Sequence, residues 1–401
     1  MPAPTAKVET FILLNHPGCT VDRHEHTQSP MGRSTPLGTY GCHAPLTRLR
    51  AAASAADLLT PRPTLALVAG DIVSHDPMRV ETPTEAIATF TNATSELVGV
   101  LGLRTCLSLG SNDDWSDHAS STHPTATPHS NLHSNMQASA MIRACGAPAG
   151  SSARGDRGFY SAQLGPNLEL LSLNTAPYDA SSPTTAAKLG DPLDQFAWLE
   201  ASLSRAARLG SKVFILGHIP PILAAASSAP EHVRPLWRPR FAERFWQIVR
   251  ARPDVVGGLL FGHTHGAEYR VWGGAAAAKL PPLLNLGALS PVSQQTRPTF
   301  YTLRVEDGIL AGLTPHYLDL SAERPAFAAA PPLPESLGAP RLRNDAFAAL
   351  AASYAGPLGD PAWSAFFGSY RGNRAVGAKC ISSDASFGDC ASCSGACRQV
   401  A

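Results

Sequence analysis

The sequence predicts a layered α/β domain, because short apolar runs typical of buried strands alternate with longer segments of helical periodicity. Strands are predicted at residues 8–14, 64–69, 105–109, 212–216, 257–261, 283–286 and 300–305. Helices are predicted at 45–59, 83–101, 191–206 and 237–251. Residues 158–164 and 168–173 predict a strand pair that turns at 165–167. Asp191 and Pro192 are typical of the N-cap and first position of the helix that follows.

Three of the predicted strands end in glycine and a side chain that can bind a metal. The endings are Gly70-Asp71, Gly217-His218 and Gly262-His263-Thr264-His265. In open α/β sheets, sites form outside the carboxyl ends of the strands, so we expect these side chains to converge. One carboxylate with several neutral imidazoles suits Zn, Fe or Mn.

Composition restricts the classes of partner. The chain has 401 residues and a net charge of +1, which gives no electrostatic case for binding a nucleic-acid polymer. No apolar run reaches the roughly 18 residues that a transmembrane helix needs. The stretch 1–7 lacks a signal-peptide pattern, and the apolar run 11–14 is too short for a hydrophobic signal core.

The eight cysteines favour an oxidising compartment. Cys380, Cys390, Cys393 and Cys397 crowd the last 22 residues and suit either two disulfides or a four-thiolate zinc site. Asn92-Ala93-Thr94 is a glycosylation sequon, and a glycoprotein is therefore expected. The histidine-rich stretch 115–137 suits metal binding, but we interpret it as a solvated loop.

The strand endings resemble the calcineurin-like metallophosphoesterase superfamily. Three extended motifs resemble the acid sphingomyelinase and sphingomyelinase-like phosphodiesterase branch: residues 70–76, residues 217–221 and Tyr40-Gly41-Cys42. The resemblance implies a layered metallophosphoesterase sandwich of two mixed β-sheets flanked by helices. The resemblance assigns a catalytic domain at 8–320, the Ala/Pro-rich composition predicts a linker at 321–340, and the apolar pattern that follows predicts a helical subdomain at 341–401, whose tail the resemblance implies is disulfide-rich.

The resemblance implies two divalent metal ions, with Zn favoured, bridged by Asp71. His218 and His263 match ligands of one ion, and His265 matches a ligand of the other. A first-strand Asp-x-His motif is also needed: Asp22 and His24 supply it in the reading that we favour. The alternative places His16 at the end of that strand and loses the carboxylate.

The chain departs from the family at Gly110-Ser111-Asn112-Asp113, where relatives have Gly-Asn-His and an acid. In direct register, Ser111 replaces a ligand and Asn112 replaces a catalytic histidine. A one-residue slip instead lets Asn112 coordinate and puts Asp113 in the place of the histidine. Either way no imidazole remains, and an amide cannot carry a proton near neutral pH. His75 matches a second active-site histidine and is the remaining candidate acid.

These features predict a binuclear metal-dependent phosphodiesterase. Its expected substrates are sphingomyelin or a small phosphodiester, including nucleotides. The alternative is a degenerate relative that binds metal or phosphoester without efficient turnover. The resemblance implies an extracellular or lysosome-like location, although no signal peptide is visible in the chain.

Overall fold

A computed structural model describes residues 8–14, 31–40, 44–73, 83–113, 139–146, 157–181, 190–225, 233–271, 278–290 and 297–353. Within these residues the strands form two six-stranded sheets and two small hairpins. The hairpins pair β2 (Met31–Thr35) with β3 (Gly38–Tyr40), and β9 (Leu223–Ala225) with β10 (Val233–Pro235).

The first sheet is mixed. Its spatial order is β16 (Phe327–Ala329), β15 (Ile309–Leu318), β14 (Thr299–Glu306), β1 (Val8–Leu14), β4 (Leu65–Val68) and β5 (Arg104–Leu107). Strands β1, β4 and β5 run parallel, and the other three pair antiparallel. The parallel part therefore points the ends of β1, β4 and β5 in one direction.

The second sheet is also mixed. Its order is β12 (Glu268–Arg270), β13 (Leu283–Asn285), β11 (Val256–Phe261), β8 (Lys212–Leu216), β7 (Leu168–Ser172) and β6 (Tyr160–Gly165). Its four central strands are parallel, and β12 and β6 are antiparallel edges. The two mixed sheets confirm the predicted fold class.

The sheets pack face to face between helices. Strand β8 shows why: Phe214 and Leu216 belong to a core shared with the first sheet, while Val213 and Ile215 belong to a second core. Alternate residues of a strand point to opposite faces, so β8 is buried on both. Helices α1 (Leu46–Asp57) and α2 (Pro83–Leu101) contribute to the shared core. Helices α3 (Gln195–Leu209) and α4 (Pro239–Arg250) cover the second sheet.

Helix α3 begins three residues after its predicted first position, Pro192. Residues 192–194 form a 3₁₀ turn in which Leu193 and Asp194 have positive φ, and the α-helix begins at Gln195. Asp191 still satisfies the helix end, because its carboxylate accepts hydrogen bonds from the backbone N–H groups of Phe196 and Ala197 at 2.9 and 3.0 Å. A carboxylate placed further upstream thus serves the capping function.

The segment predicted as a linker packs on the first sheet. Strand β16 pairs with β15, and Leu333 and Leu337 are buried in the shared core. Helix α5 (Asn344–Ser353) follows, and Phe347 is buried against Tyr269. The boundary at 341 stays a prediction, and the four C-terminal cysteines lie outside the described residues.

Two further expectations concern the surface. No helix among the described residues is long and apolar enough to cross a membrane. Asn92 is exposed on α2, whereas Thr94 of the sequon is buried. Glycosylation acceptors belong on surface loops, so the helical setting does not favour modification. Glycosylation of Asn92 stays a prediction.

Candidate metal centre

The predicted ligands lie at the carboxyl ends of strands from both sheets. Asp71 and Ser111 follow β4 and β5 of the first sheet, while His218 and His263 follow β8 and β11 of the second. One ligand atom from each of Asp71, His218 and His263 lies within 4.8 Å of the other two. The fold therefore brings together three side chains that are far apart in the sequence.

The turns that present these ligands are conformationally unusual. Asp71, His263 and His265 have φ values of 54°, 74° and 61°. Non-glycine residues seldom adopt the left-handed region, because Cβ then crowds the backbone, although aspartate and histidine do so more often than most. Strained residues of this kind concentrate at functional sites, where the surrounding structure holds them in place.

Two hydrogen bonds orient His218. Its Nδ1 lies 2.7 Å from the carbonyl oxygen of Ala69, which makes Nδ1 the donor. Its Nε2 lies 3.0 Å from Asp71 Oδ2 and 3.3 Å from His263 Nδ1. A carbonyl that fixes one ring nitrogen leaves the other to face a cation, as is typical of metal-binding histidines.

The electrostatics of the two imidazoles differ. Burial by itself disfavours the charged form of His218, but the Asp71 carboxylate outweighs burial and the pKa of His218 is raised overall. Burial and the neighbouring His218 lower the pKa of His263 to about 4. His263 is therefore neutral near pH 7 and has a lone pair available. A proton on His218 stabilises Asp71 as a bound cation would.

The loop after β5 lies against this cluster. Ser111 Oγ is 3.5 Å from Asp71 Oδ1 and 3.4 Å from His218 Nε2. The backbone N–H of Asn112 donates to Asp71 Oδ1 at 2.9 Å. This geometry favours the direct register, in which Ser111 takes the ligand position and Asn112 the position of the histidine.

Asp113 has a role that the sequence did not suggest. It is buried, and its two carboxylate oxygens accept the backbone N–H groups of Val73 and Gly110 at 2.9 and 2.8 Å. Burial and the nearby Asp71 charge raise its pKa, while these two hydrogen bonds oppose the shift. Asp113 thus joins the loop after β5 to the loop after β4. In the sequence, the only indication of this role is that Asp113 lies three residues after Gly110.

His265 belongs to a different part of the site. It is buried, its Nδ1 lies 3.0 Å from the carbonyl oxygen of Ser290, and it is not in the group formed by Asp71, His218 and His263. The amide of Asn285 donates to the Gly266 carbonyl at 2.8 Å and so holds the turn that carries His265. The assignment of His265 to a second ion stays a prediction.

The remaining predicted site residues lie outside the described residues. These are Asp22, His24 and the alternative His16 after β1, and His75 after Asp71. Their roles therefore stay predictions.

Comparisons with known proteins agree with the motifs. No family model matches the chain. A stretch of 137 residues is 31% identical to the human cyclic GMP-AMP phosphodiesterase SMPDL3A and covers 34% of this chain and 29% of that protein. Matches to human acid sphingomyelinase-like phosphodiesterase 3b and to sphingomyelinase phosphodiesterase D of Dictyostelium discoideum are 34% identical over 116 residues and 32% over 114. Each covers 28% of this chain, and they cover 24% and 25% of those proteins.

The chain thus matches less than a third of the length of these relatives. Among solved structures, a dimetal phosphatase from Danio rerio aligns over 77% of this chain and 95% of its own, with a TM-score of 0.47 and 15% identity. The relatives that this chain matches over these stretches are acid sphingomyelinase-like phosphodiesterases, as the sequence motifs predict.

Proposed function

We propose that this protein is a phosphodiesterase that depends on two divalent metal ions, with Zn favoured. The observation that carries the proposal is the meeting of Asp71, His218 and His263, whose ligand atoms lie within 4.8 Å of one another. The phosphodiesterase names of the relatives support the same reaction class.

The donor set fits such ions. Asp71 supplies an anionic carboxylate, and His263 supplies an imidazole that is neutral near pH 7 because burial lowers its pKa to about 4. His218 faces Asp71 through Nε2, since its Nδ1 is tied to the Ala69 carbonyl. A carboxylate with neutral imidazoles is a typical set for Zn or Mn.

In this proposal both ions would share Asp71 as a ligand. His218, His263 and Ser111 would hold one of them, while Asp22, His24 and His265 would hold the other. Two such ions supply Lewis-acid stabilisation of phosphoryl oxygens and acidify water at neutral pH. The protein contributes a rigid arrangement, because Asp113 and the Ala69 carbonyl fix the loops that carry Asp71 and His218.

We assign proton transfer to the leaving group to His75. General acid catalysis contributes about 10²–10⁴-fold and matters most for alkoxide leaving groups. Replacing His75 by Ala should therefore lower hydrolysis of alkyl phosphodiesters more than that of nitrophenyl esters, since nitrophenolate leaves without protonation. An equal loss on both classes would remove His75 from this role.

The substrate class includes sphingomyelin and small soluble phosphodiesters such as nucleotides. The relatives' names include both a cyclic GMP-AMP phosphodiesterase and sphingomyelin phosphodiesterases. We also propose an extracellular or lysosome-like location, which the buried disulfide between Cys106 and Cys145 supports because disulfides persist in oxidising compartments.

Metal content and turnover test the proposal together. The purified full chain, reconstituted with Zn or Mn, should contain two ions and hydrolyse bis-nitrophenyl phosphate between pH 4 and 8. Sphingomyelin and cyclic GMP-AMP then separate the substrate classes. Protein that holds one ion or none, and stays inactive under all these conditions, would establish the degenerate binding alternative instead.

A variant tests the bridging role of Asp71. Asp71→Ala should lose both ions together in elemental analysis, because each depends on the shared carboxylate. Asp57→Ala is the matched control, since it removes a half-exposed carboxylate from the end of α1. If Asp71→Ala retains one ion at full occupancy, Asp71 does not bridge.

A further inference from the structure

The side chain of Asn112 has a donor that the fold does not use. Its amide nitrogen Nδ2 is buried and has no hydrogen-bond partner among the described residues. Its backbone N–H, by contrast, donates to Asp71 Oδ1 at 2.9 Å. Buried donors are almost always satisfied in native proteins, so an unused one beside a candidate metal centre indicates a missing partner.

Two other asparagine side chains in the described part of the chain have a partner for the amide nitrogen. Asn285 Nδ2 donates to the Gly266 carbonyl at 2.8 Å, and Asn174 Nδ2 donates to the Arg157 carbonyl at 3.2 Å. These two side chains hold neighbouring turns in place. The unpartnered amide nitrogen of Asn112 therefore differs from those of Asn285 and Asn174, which have structural roles.

We propose that the Asn112 amide donates a hydrogen bond to a non-leaving phosphoryl oxygen of the substrate, which deepens the phosphodiesterase function proposed above and rests on it. The neighbouring ligands Asp71 and Ser111 place Asn112 beside the ions that would hold the phosphoryl group. Hydrogen bonds to an anionic acceptor are stronger than neutral ones, so a phosphoryl oxygen is a well-matched partner.

Access to the amide requires only a local adjustment. Asn112 as a whole is half-buried, although Nδ2 itself is shielded. The terminal torsion of an asparagine side chain is soft, so rotation of the amide plane can turn the donor toward an arriving oxygen.

The chemistry of an amide defines what this residue contributes. It cannot give up a proton near neutral pH, so Asn112 stabilises phosphoryl charge without protonating the leaving group. Loss of the amide should therefore slow all phosphodiesters by the same factor. This behaviour differs from that expected of His75, whose loss should depend on the leaving group.

Binding of inorganic phosphate to the metal-loaded full chain provides a readout besides turnover. Isothermal titration calorimetry should show Asn112→Ala binding phosphate about 10-fold more weakly than wild type or worse, as for loss of a charged hydrogen bond. Asn112→Gln retains an amide and should recover part of the affinity. Asn167→Ala, in the exposed turn between β6 and β7, is the control and should bind as wild type does.

Thermal unfolding distinguishes a binding role from a structural one. Removing an unpartnered buried donor should leave the midpoint of unfolding unchanged or raise it, whereas removing a structural hydrogen bond should lower it. The value of kcat/KM should fall by the same factor for bis-nitrophenyl phosphate and for a dialkyl phosphodiester.

Three outcomes overturn the inference. Unchanged phosphate affinity in Asn112→Ala, with turnover intact, would reject the Asn112 role and leave the phosphodiesterase function standing. A lowered unfolding midpoint with lost metal would make Asn112 structural. A wild-type protein that holds two ions yet neither binds phosphate nor hydrolyses any ester would overturn the proposed function and this inference with it.

Discussion

Gly110 approaches Asp71 so closely that a Cβ atom on Gly110 would lie 2.0 Å from the backbone nitrogen of Asp71 and 2.2 Å from its Oδ1. Gly70 makes the reciprocal approach, since a Cβ atom there would lie 2.7 Å from the backbone nitrogen of Gly110 and 2.8 Å from His218 Nδ1. The ends of β4 and β5 in the first sheet and of β8 in the second therefore meet with only glycine at the closest approach. The proximity of Asp71, Ser111 and His218 therefore depends on these two glycines.

Gly110→Ala should disrupt the candidate metal centre. The added methyl group cannot be accommodated at 2.0 Å from backbone atoms, so the loop after β5 must move away from Asp71. Displacement of about 1 Å at a reacting centre can cost about 100-fold, and we expect a loss of at least this size in kcat/KM. Elemental analysis should show reduced metal content.

Gly99→Ala is the matched control for this change. Gly99 lies in α2, and no atom lies within 4 Å of a Cβ built there. Alanine is favoured over glycine within a helix by roughly 0.5–1 kcal/mol, so this variant should be at least as stable as wild type and fully active. Normal activity and metal content in Gly110→Ala would show that the loop tolerates movement.

Much of this arrangement could be predicted from local sequence. The strands that carry Asp71, His218 and His263 are continuous apolar runs that end at glycine, and their buried pattern and positions follow from this signal. The helix at 83–101 was predicted with the bounds that the structure shows. Local pattern suffices here because packing, propensity and termination all favour the same structure.

Other features depend on contacts between distant residues. Strand β15 was not predicted, because Gly312 and Pro315 interrupt its apolar pattern, and it is defined by pairing with β14 and β16. The role of Asp113 depends on the N–H groups of Val73, some 40 residues earlier in the chain, and Gly110. Sequence spacing cannot specify such partners, since tertiary structure decides which loops meet.

Ser111→Ala should weaken metal binding. The Ser111 hydroxyl lies 3.5 Å from Asp71 Oδ1 and 3.4 Å from His218 Nε2, a position suited to a fourth donor. Losing a group that contacts the ligands typically costs 10–100-fold in metal affinity, and we expect about 10-fold by competition with a chelator. Ser95→Ala, on the exposed face of α2, should leave the affinity unchanged. Equal affinities in the two variants would exclude Ser111 as a donor.

His316 should make stability depend on pH. It is 4% exposed, its ring stacks on Phe300 with centroids 4.4 Å apart, and its Nε2 lies 2.7 Å from Thr302 Oγ1. Burial lowers its pKa from 6.5 to about 4. The unfolded chain therefore binds the extra proton between these values, and the free energy of unfolding decreases as pH falls from about 6.5 to about 4.

Urea unfolding of wild type and His316→Gln at pH 7.5 and pH 4.5 measures this contribution. Glutamine retains a hydrogen-bonding group toward Thr302 but does not titrate. Wild type should lose more stability than the variant on acidification, by an amount of up to about 3 kcal/mol, because one pKa unit corresponds to about 1.4 kcal/mol. Identical losses in both proteins would assign the acid sensitivity to other groups.

The disulfide between Cys106 and Cys145 should stabilise the strand that leads to Ser111. Cys106 lies in β5, Cys145 follows the helical residues 139–144, and the pair closes a loop with a sequence separation of 39. A cross-link of this span restricts the unfolded chain and contributes roughly 2–4 kcal/mol, so the free energy of unfolding measured in urea should be lower by that amount in the double variant Cys106→Ala, Cys145→Ala. Reducing agent should destabilise wild type by this amount more than it destabilises the double variant. A variant as stable as wild type would mean that packing alone holds β5 in place.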